Sequence, residues 1–195
     1  MISKLVVRLP NNQMIKRLKI QNGFTLVELL VVIAIISILV TIGLVAFTSS
    51  QMRGRDAARK SDLKQIANGL EIFYTDYGKY PPSDGTNSTG QIYACPFDSV
   101  KLTGTACTWG SSEFNDIDSS GSTKTLYMKT LPKDPVSSYT YWYRVDSTGQ
   151  KYQVFAHLEN TQDPSLISTP YMCGTGAACN FGTSSPNSSP TDTSW

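Results

Sequence analysis

Glu28 is the only charged residue between Phe24 and Phe47, a stretch of 24 residues that is otherwise apolar or uncharged. A charged side chain at the centre of a membrane costs about 2.5 to 3.5 kcal/mol on insertion scales, and less near the surface. We therefore expect the carboxylate to serve a partner, although the sequence shows no obvious one within the chain. Gly23 disfavours helix, so the Gly23–Phe24 bond should form an accessible boundary before the apolar stretch.

The apolar stretch is long enough to cross a bilayer. As a helix it would extend about 36 Å at 1.5 Å per residue, against about 30 Å of hydrocarbon. The leader, residues 1–23, carries five basic residues, and five more follow between Arg53 and Lys64, so charge alone leaves the orientation open. A signal anchor that is never cut is the alternative interpretation.

The junction from Gly23 to Glu28 resembles the prepilin motif of type IV pilins and type II secretion pseudopilins. The similarity extends through residues 57–63 and Tyr77–Pro81, and Leu131–Pro135 is similar to a segment of major pseudopilins. The resemblance implies that a membrane peptidase and methyltransferase cuts after Gly23 and N-methylates Phe24. It also implies copies of the chain assembling into a helical filament on an inner-membrane platform, with Glu28 meeting the Phe24 amine of a neighbour.

Four cysteines follow the apolar stretch, at Cys95, Cys107, Cys173 and Cys179. This placement favours an oxidising compartment, and hence a precursor whose leader is cytoplasmic and whose C-terminal domain is outside. We expect the local pairs, Cys95 with Cys107 and Cys173 with Cys179, because each closes a short loop. Unpaired thiols are the alternative, while the spacing and the isolated His157 disfavour zinc.

An apolar helix face follows the membrane stretch. It consists of Leu63, Ile66, Leu70, Phe73 and Tyr77, spaced by three or four residues. Residues 48–80 are therefore predicted to continue the helix until Pro81 and Pro82 stop it. The basic residues between 53 and 64 could form a solvated surface, contact lipid head groups, or pair with neighbouring subunits.

The remaining chain predicts a small β-rich domain over residues 81–181. Alternating residues over Tyr139–Val145 and Tyr152–Leu158 indicate a hairpin, with a third strand near Leu166–Met172. We expect an irregular excursion over residues 83–124 and a disordered Ser/Thr/Pro-rich tail over residues 182–195. The fold class is therefore α+β: a long N-terminal helix packed on a small antiparallel sheet, as the resemblance also implies.

Catalytic and nucleic-acid functions find little support. The sequence lacks a phosphate-binding glycine loop, the G-x-S-x-G motif and a metalloprotease motif, so we expect no enzyme. From Pro81 onward there are six basic and ten acidic residues, which argues against broad contact with nucleic acid. A structural pilin subunit is the leading hypothesis. The alternatives are a major pseudopilin, a DNA-uptake or adhesive pilin, and a membrane-tethered enzyme.

One weak metal site is suggested by the resemblance. Major pseudopilins hold calcium in a loop after the last hairpin strand, and the corresponding stretch here is Glu159–Asp163. Glu159, Asn160 and Asp163 offer oxygen ligands of the kind that calcium prefers. They are the candidate calcium ligands, and no other cofactor is expected.

Overall fold

The computed structural model describes residues 23–84 and 90–193, apart from the side chains of residues 42, 43, 45 and 46. Within that part, no helix is both long enough and apolar enough to cross a membrane. The predicted leader lies outside the described residues except for Gly23. The chain divides into two units, Met1–Leu44 and Val45–Trp195.

One long helix, α1, spans Leu26–Tyr77 and contains 52 residues. It is followed by Gly78, whose φ of 65° is easily reached by glycine and whose N–H donates to the Tyr74 carbonyl at 2.7 Å. The helix therefore ends at Tyr77, three residues before the predicted boundary at residue 80, and Pro81 and Pro82 lie beyond it.

The apolar side chains of α1 differ in exposure between the two units. In the second unit, Leu63, Ile66, Leu70 and Phe73 are almost completely buried, as the predicted apolar face requires. In the first unit, large apolar side chains are exposed, including Phe24 at 86% and Leu39 at 63%. Large exposed apolar surfaces are typical of sites that contact another protein or a membrane.

A four-stranded sheet occupies much of the region that we expected to be irregular. It contains β1 Tyr93–Asp98, β2 Thr103–Ala106, β3 Phe114–Ile117 and β4 Thr123–Met128. The strand order is β2-β1-β3-β4, with β1 and β3 parallel. The prediction for residues 83–124 was wrong because Ala94, Phe97 and Phe114 bury against the core despite their polar surroundings. The sheet is also mixed rather than purely antiparallel.

A second sheet follows, with strands β5 Trp142–Val145, β6 Tyr152–Ala156 and β7 Phe181–Ser184 in that order, all antiparallel. The β5–β6 hairpin confirms the alternation seen in the sequence. The third strand is not at residues 166–172, where the structure has irregular backbone with a single bridge between Met172 and Ala178. The α+β class is confirmed.

The tail prediction was also wrong for residues 182–192. Residues 182–184 belong to β7, and the buried Ser185 donates its N–H to the Tyr152 carbonyl at 3.1 Å. The buried Gln153 donates from Nε2 to the Ser189 carbonyl at 2.5 Å. The segment is held by polar contacts to the sheet, which composition and hydropathy do not reveal.

Candidate functional site

The N-terminal end of α1 is closed by a reciprocal pair, Thr25 and Glu28. The Thr25 N–H and hydroxyl each donate to Oε2 of Glu28 at 2.8 Å. In return, the Glu28 N–H donates to Oγ1 of Thr25 at 3.2 Å. This is a capping box, which satisfies amide groups that the first helical turn cannot pair internally.

Glu28 therefore has a partner within its own subunit, contrary to our expectation from the sequence. The Thr-x-x-Glu spacing of Thr25 and Glu28 is itself a capping signal and could have revealed the contact. Both bonds from Thr25 end on Oε2. Among the described residues, Oε1 accepts no hydrogen bond, so one oxygen of the carboxylate remains available to a second donor.

The Gly23–Phe24 bond lies immediately before this cap. Gly23, Phe24 and Thr25 precede the helix and are exposed. Among the described residues, a Cβ added at Gly23 would meet no heavy atom within 4 Å. The candidate processing residues and the carboxylate of Glu28 thus lie within six consecutive positions.

A second polar cluster surrounds Arg59, which is completely buried. Its Nε and Nη2 donate to the Asp134 carboxylate at 2.8 and 2.9 Å, and its Nη1 donates to Asp56 at 2.7 Å and Glu159 at 2.8 Å. Burial disfavours the charged guanidinium, but the bonds to Asp134 and Glu159 outweigh that effect and raise the pKa of Arg59.

Two further ion pairs extend the cluster toward the surface. Arg55 donates to both oxygens of Glu159, at 2.8 and 2.5 Å. These bonds, together with those from Arg59, lower the pKa of Glu159 to about 2 despite its partial burial. Lys60 donates to Asp163 at 2.7 Å, and this bond, with bonds from Ser165, lowers the pKa of Asp163 to about 2.

These contacts show how the three candidate calcium ligands are bonded within the subunit. Glu159 and Asp163 accept hydrogen bonds from cations of α1, and the Asn160 N–H donates to Asp56 at 2.9 Å. Within the described part of the chain, no group of three or more His, Cys, Asp and Glu residues is arranged to hold a metal ion. The loop is held to the helix by basic side chains, and calcium binding by Glu159, Asn160 and Asp163 stays a prediction.

Three of the five basic residues that follow the apolar stretch form ion pairs in the same cluster. Arg55, Arg59 and Lys60 pair within the chain rather than forming a uniformly solvated surface. Arg53 and Lys64 are exposed and have no hydrogen bond or ion pair among the described residues. Only these two remain for contacts outside the subunit.

The four cysteines form two disulfides. Cys95 pairs with Cys107, with Cα atoms 5.1 Å apart, and Cys173 pairs with Cys179, with Cα atoms 4.9 Å apart. The first attaches strand β1 to the residue that follows strand β2. The second closes a loop whose cysteines pack with Phe155 in a small apolar cluster. Both stabilise the second unit and contribute no reactive group.

The match to a family model lies in the N-terminal region. Residues 18–44 match the prokaryotic N-terminal methylation motif, a range that includes Gly23, Phe24 and Glu28. The type IV major pilin protein PilA of Myxococcus xanthus (strain DK1622) is 37% identical over 69 residues. That match covers 35% of this chain and 30% of the relative, so it leaves most of both proteins unaligned. No solved structure gives a significant match.

The methylation motif lies at the start of a long helix, which continues into a domain of two small sheets. About a third of the chain aligns with a type IV pilin. Over about a third of its length, and at the methylation motif of residues 18–44, the chain is therefore similar to type IV pilins.

Proposed function

We propose that this chain is a structural subunit of a type IV pilus-like filament, cut after Gly23 by a prepilin peptidase and N-methylated at Phe24. The observation that carries the proposal is the methylation motif over residues 18–44, which includes Gly23, Phe24 and Glu28. The proposal assigns no catalytic role to the chain.

Cleavage creates the partner that Glu28 lacks on its second oxygen. In the precursor, Phe24 is joined to Gly23 by an amide, whereas in the mature chain it carries a cationic amine. Oε1 of Glu28 would accept a hydrogen bond from the Phe24 amine of a neighbouring subunit, while Thr25 holds Oε2. In a low-dielectric helix bundle, breaking such a pair leaves an uncompensated charge that costs about 3 to 5 kcal/mol. Correct axial register therefore becomes strongly favoured.

The exposed apolar surface of α1 supplies the rest of the assembly contact. Residues 24–47 form the apolar stretch of the sequence, and most of their described side chains are exposed. We propose that membrane lipid covers this surface in the precursor and that neighbouring helices cover it in the filament. Helices leaving lipid gain cohesion mainly from close packing. The subunit would thus move from the cytoplasmic membrane to a filament at the cell surface.

One structural feature favours a pilin over a major pseudopilin. The loop that resembles the pseudopilin calcium site is held by Arg55, Arg59 and Lys60, so its carboxylates are already neutralised. Asp134, within the pseudopilin-like segment Leu131–Pro135, is one of the buried partners of Arg59. The segment thus has a structural role in this chain that requires no secretion function.

Glu28→Gln tests the assembly contact. Glutamine can still occupy the capping box, so the helix cap is retained while the negative charge is removed. We expect normal cleavage and stable subunits in the membrane, but loss of filaments, measured by shearing the cell surface and quantifying the released subunit. Filaments at the wild-type level would show that the charge of Glu28 is not the assembly contact.

A further inference from the structure

Strands β4 and β7 lie at free edges of the two sheets. Among the described residues, no backbone–backbone hydrogen bond joins β4 to a residue outside β3, or β7 to a residue outside β6. β4 contains no proline and a single charge, Lys124, and β7 contains neither. A free edge is a template for another strand unless charges, proline or a covering element block it.

The two edges run along opposite flanks of α1. Beside β4, the Met128 side chain lies 3.7 Å from the position of a Cβ at Gly69. Beside β7, the centre of the Phe181 ring lies 5.2 Å from Nζ of Lys60. Gly69 and Lys60 are nine positions apart, which places them on opposite sides of a helix with 3.6 residues per turn. The edges of β4 and β7 therefore face away from each other.

The other two edge strands, β2 and β5, are placed differently. β2 is separated from β4, and hence from this flank of α1, by β1 and β3. β5 is covered in part, because the Tyr143 N–H donates to the Gly90 carbonyl at 2.9 Å. Copies that approach each other along α1 therefore meet at β4 and β7.

β4 runs against the direction of α1. Near its start, Nζ of Lys124 lies 5.8 Å from the centre of the Tyr77 ring. At its end, Met128 lies beside Gly69. The strand therefore passes from the level of Tyr77 to that of Gly69, toward the N-terminal end of the helix.

β7 runs in the direction of α1 and lies closer to the N-terminal end. Before strand β6, the Tyr74 hydroxyl donates to Gln150 at 2.7 Å. After β6, Arg59 donates to Glu159 at 2.8 Å. β6 thus passes from the level of Tyr74 to that of Arg59, and β7 is antiparallel to it. At 1.5 Å per helical residue, the centre of β7 lies about 10 Å from the centre of β4 along the axis.

We propose that β7 of one copy of this chain adds to β4 of the next copy as an antiparallel strand. The inference rests on the proposed filament function, because it requires copies whose helices lie side by side and parallel. In that arrangement the two edges face each other and run in opposite directions, as an antiparallel pair requires. The contact joins two different surfaces with an axial shift, so it does not close on itself, and its repetition extends a filament.

The axial shift agrees in direction with the proposed contact of Glu28. β7 meets β4 when the copy that offers β7 is displaced by about 10 Å toward the C-terminal end of α1. Phe24 precedes Glu28, so the copy that offers its Phe24 amine to Glu28 must be displaced in the same direction. One neighbour is therefore positioned to make both contacts.

Ser184 offers a test that leaves the pairing of β7 with β6 intact. Ser185 donates its N–H to the Tyr152 carbonyl, and successive N–H groups of a strand point to opposite edges, so that of Ser184 points away from β6. Proline removes this donor and is tolerated where the N–H faces outward. One backbone hydrogen bond changes an equilibrium constant by about two- to twelvefold, and the contact repeats at every subunit. Ser184→Pro should therefore reduce the sheared filament fraction by at least about fivefold.

Ser184→Ala is the matched control. It keeps the outward N–H and loses the bond from the Ser184 hydroxyl to the Ser188 carbonyl, as Ser184→Pro also does. The difference between the two variants therefore measures the edge contact, provided that the membrane contains equal amounts of each subunit. Equal filament yields from Ser184→Pro and Ser184→Ala under that condition would overturn the proposal.

A cross-link tests the pairing directly, even if the proline variant folds poorly. When the centres of the two strands coincide, Ser184 lies opposite Lys124, within the distance that a disulfide spans. Cells that express Ser184→Cys and Lys124→Cys copies together should form a disulfide-linked dimer containing one of each. Ser184→Cys with Thr103→Cys, on the edge of β2, should form none. A dimer through β2 without one through β4 would reject the proposal.

The same cross-link separates this inference from the proposed function. If wild-type subunits form no filament, the proposed function fails, while a mixed dimer through β4 and β7 in the membrane would still support the contact. Abundant filaments without that dimer would reject the contact and leave the proposed function standing.

Discussion

Arg59 donates two hydrogen bonds to the carboxylate of Asp134, 75 positions further along the chain, through Nε at 2.8 Å and Nη2 at 2.9 Å. Both side chains are completely buried. The pair attaches the middle of α1 to the loop before the second sheet, and Glu159 joins it from the loop after strand β6. A single helix residue therefore holds two distant loops.

Removing Arg59 should destabilise the second unit strongly. Arg59→Met fills a similar volume but leaves Asp134 buried without its cation, which typically costs about 3 to 5 kcal/mol. Chemical denaturation of the domain from residue 45 onward, compared with the same domain carrying native Arg59, measures the change. The double variant Arg59→Met/Asp134→Asn should recover part of the loss, because asparagine is neutral. An equal loss in both variants would show that the pairing of charges is unimportant.

Lowering the pH should weaken the cluster around Arg59 over a defined pH range. Bonds from Arg55 and Arg59 lower the pKa of Glu159 to about 2, and bonds from Lys60 and Ser165 lower that of Asp163 to about 2. A carboxyl group with a lowered pKa stabilises the fold above its unfolded pKa, near 4, and this contribution disappears as pH falls toward 2. The free energy of unfolding should therefore decline between about pH 4.5 and 2. Glu159→Gln should show a shallower decline, whereas an unchanged slope would contradict the assignment.

Thr25 should act on assembly through Glu28 rather than through the helix cap alone. Thr25→Val removes the hydroxyl bonds while keeping the size of the side chain, and Thr25→Ser retains them. We expect Thr25→Val to lower filament yield and Thr25→Ser to preserve it. Cleavage should be measured in both variants, because Thr25 is close to the processed bond. When Glu28→Gln is already present, adding Thr25→Val should not lower the remaining filament yield further. An equal additional loss there would assign Thr25 to helix capping only.

The helix and its apolar face could be predicted because their signals are local. The spacing of Leu63 to Tyr77 and the proline pair at Pro81 are sufficient to predict a buried face and its end. The four-stranded sheet was missed because its strands are short and mix apolar residues with Thr, Asp and Asn without a clear alternation. Long-range pairing decided their structure instead.

In the candidate site, too, the local contacts could be predicted from the sequence and the long-range contacts could not. Gly23, Phe24 and Glu28 form a contiguous motif, and even the missed capping contact is encoded by Thr25 three residues before Glu28. The cluster around Arg59 is different, because Asp134 and Glu159 are remote from it in sequence. The residues next to each of them do not indicate that its partner is a cation. The calcium prediction considered the loop oxygens alone, because the helix cations that pair with them are remote in sequence.

Mass spectrometry of the N-terminal peptide tests the central claim most directly. Filaments sheared from the cell surface would be digested and compared with the membrane fraction of the same cells. The proposed function predicts that the surface fraction contains a chain beginning at N-methylated Phe24, with no peptide that bridges Gly23 and Phe24. A bridging peptide in all fractions, with no methylated Phe24, would contradict processing at this bond and with it the proposed assembly.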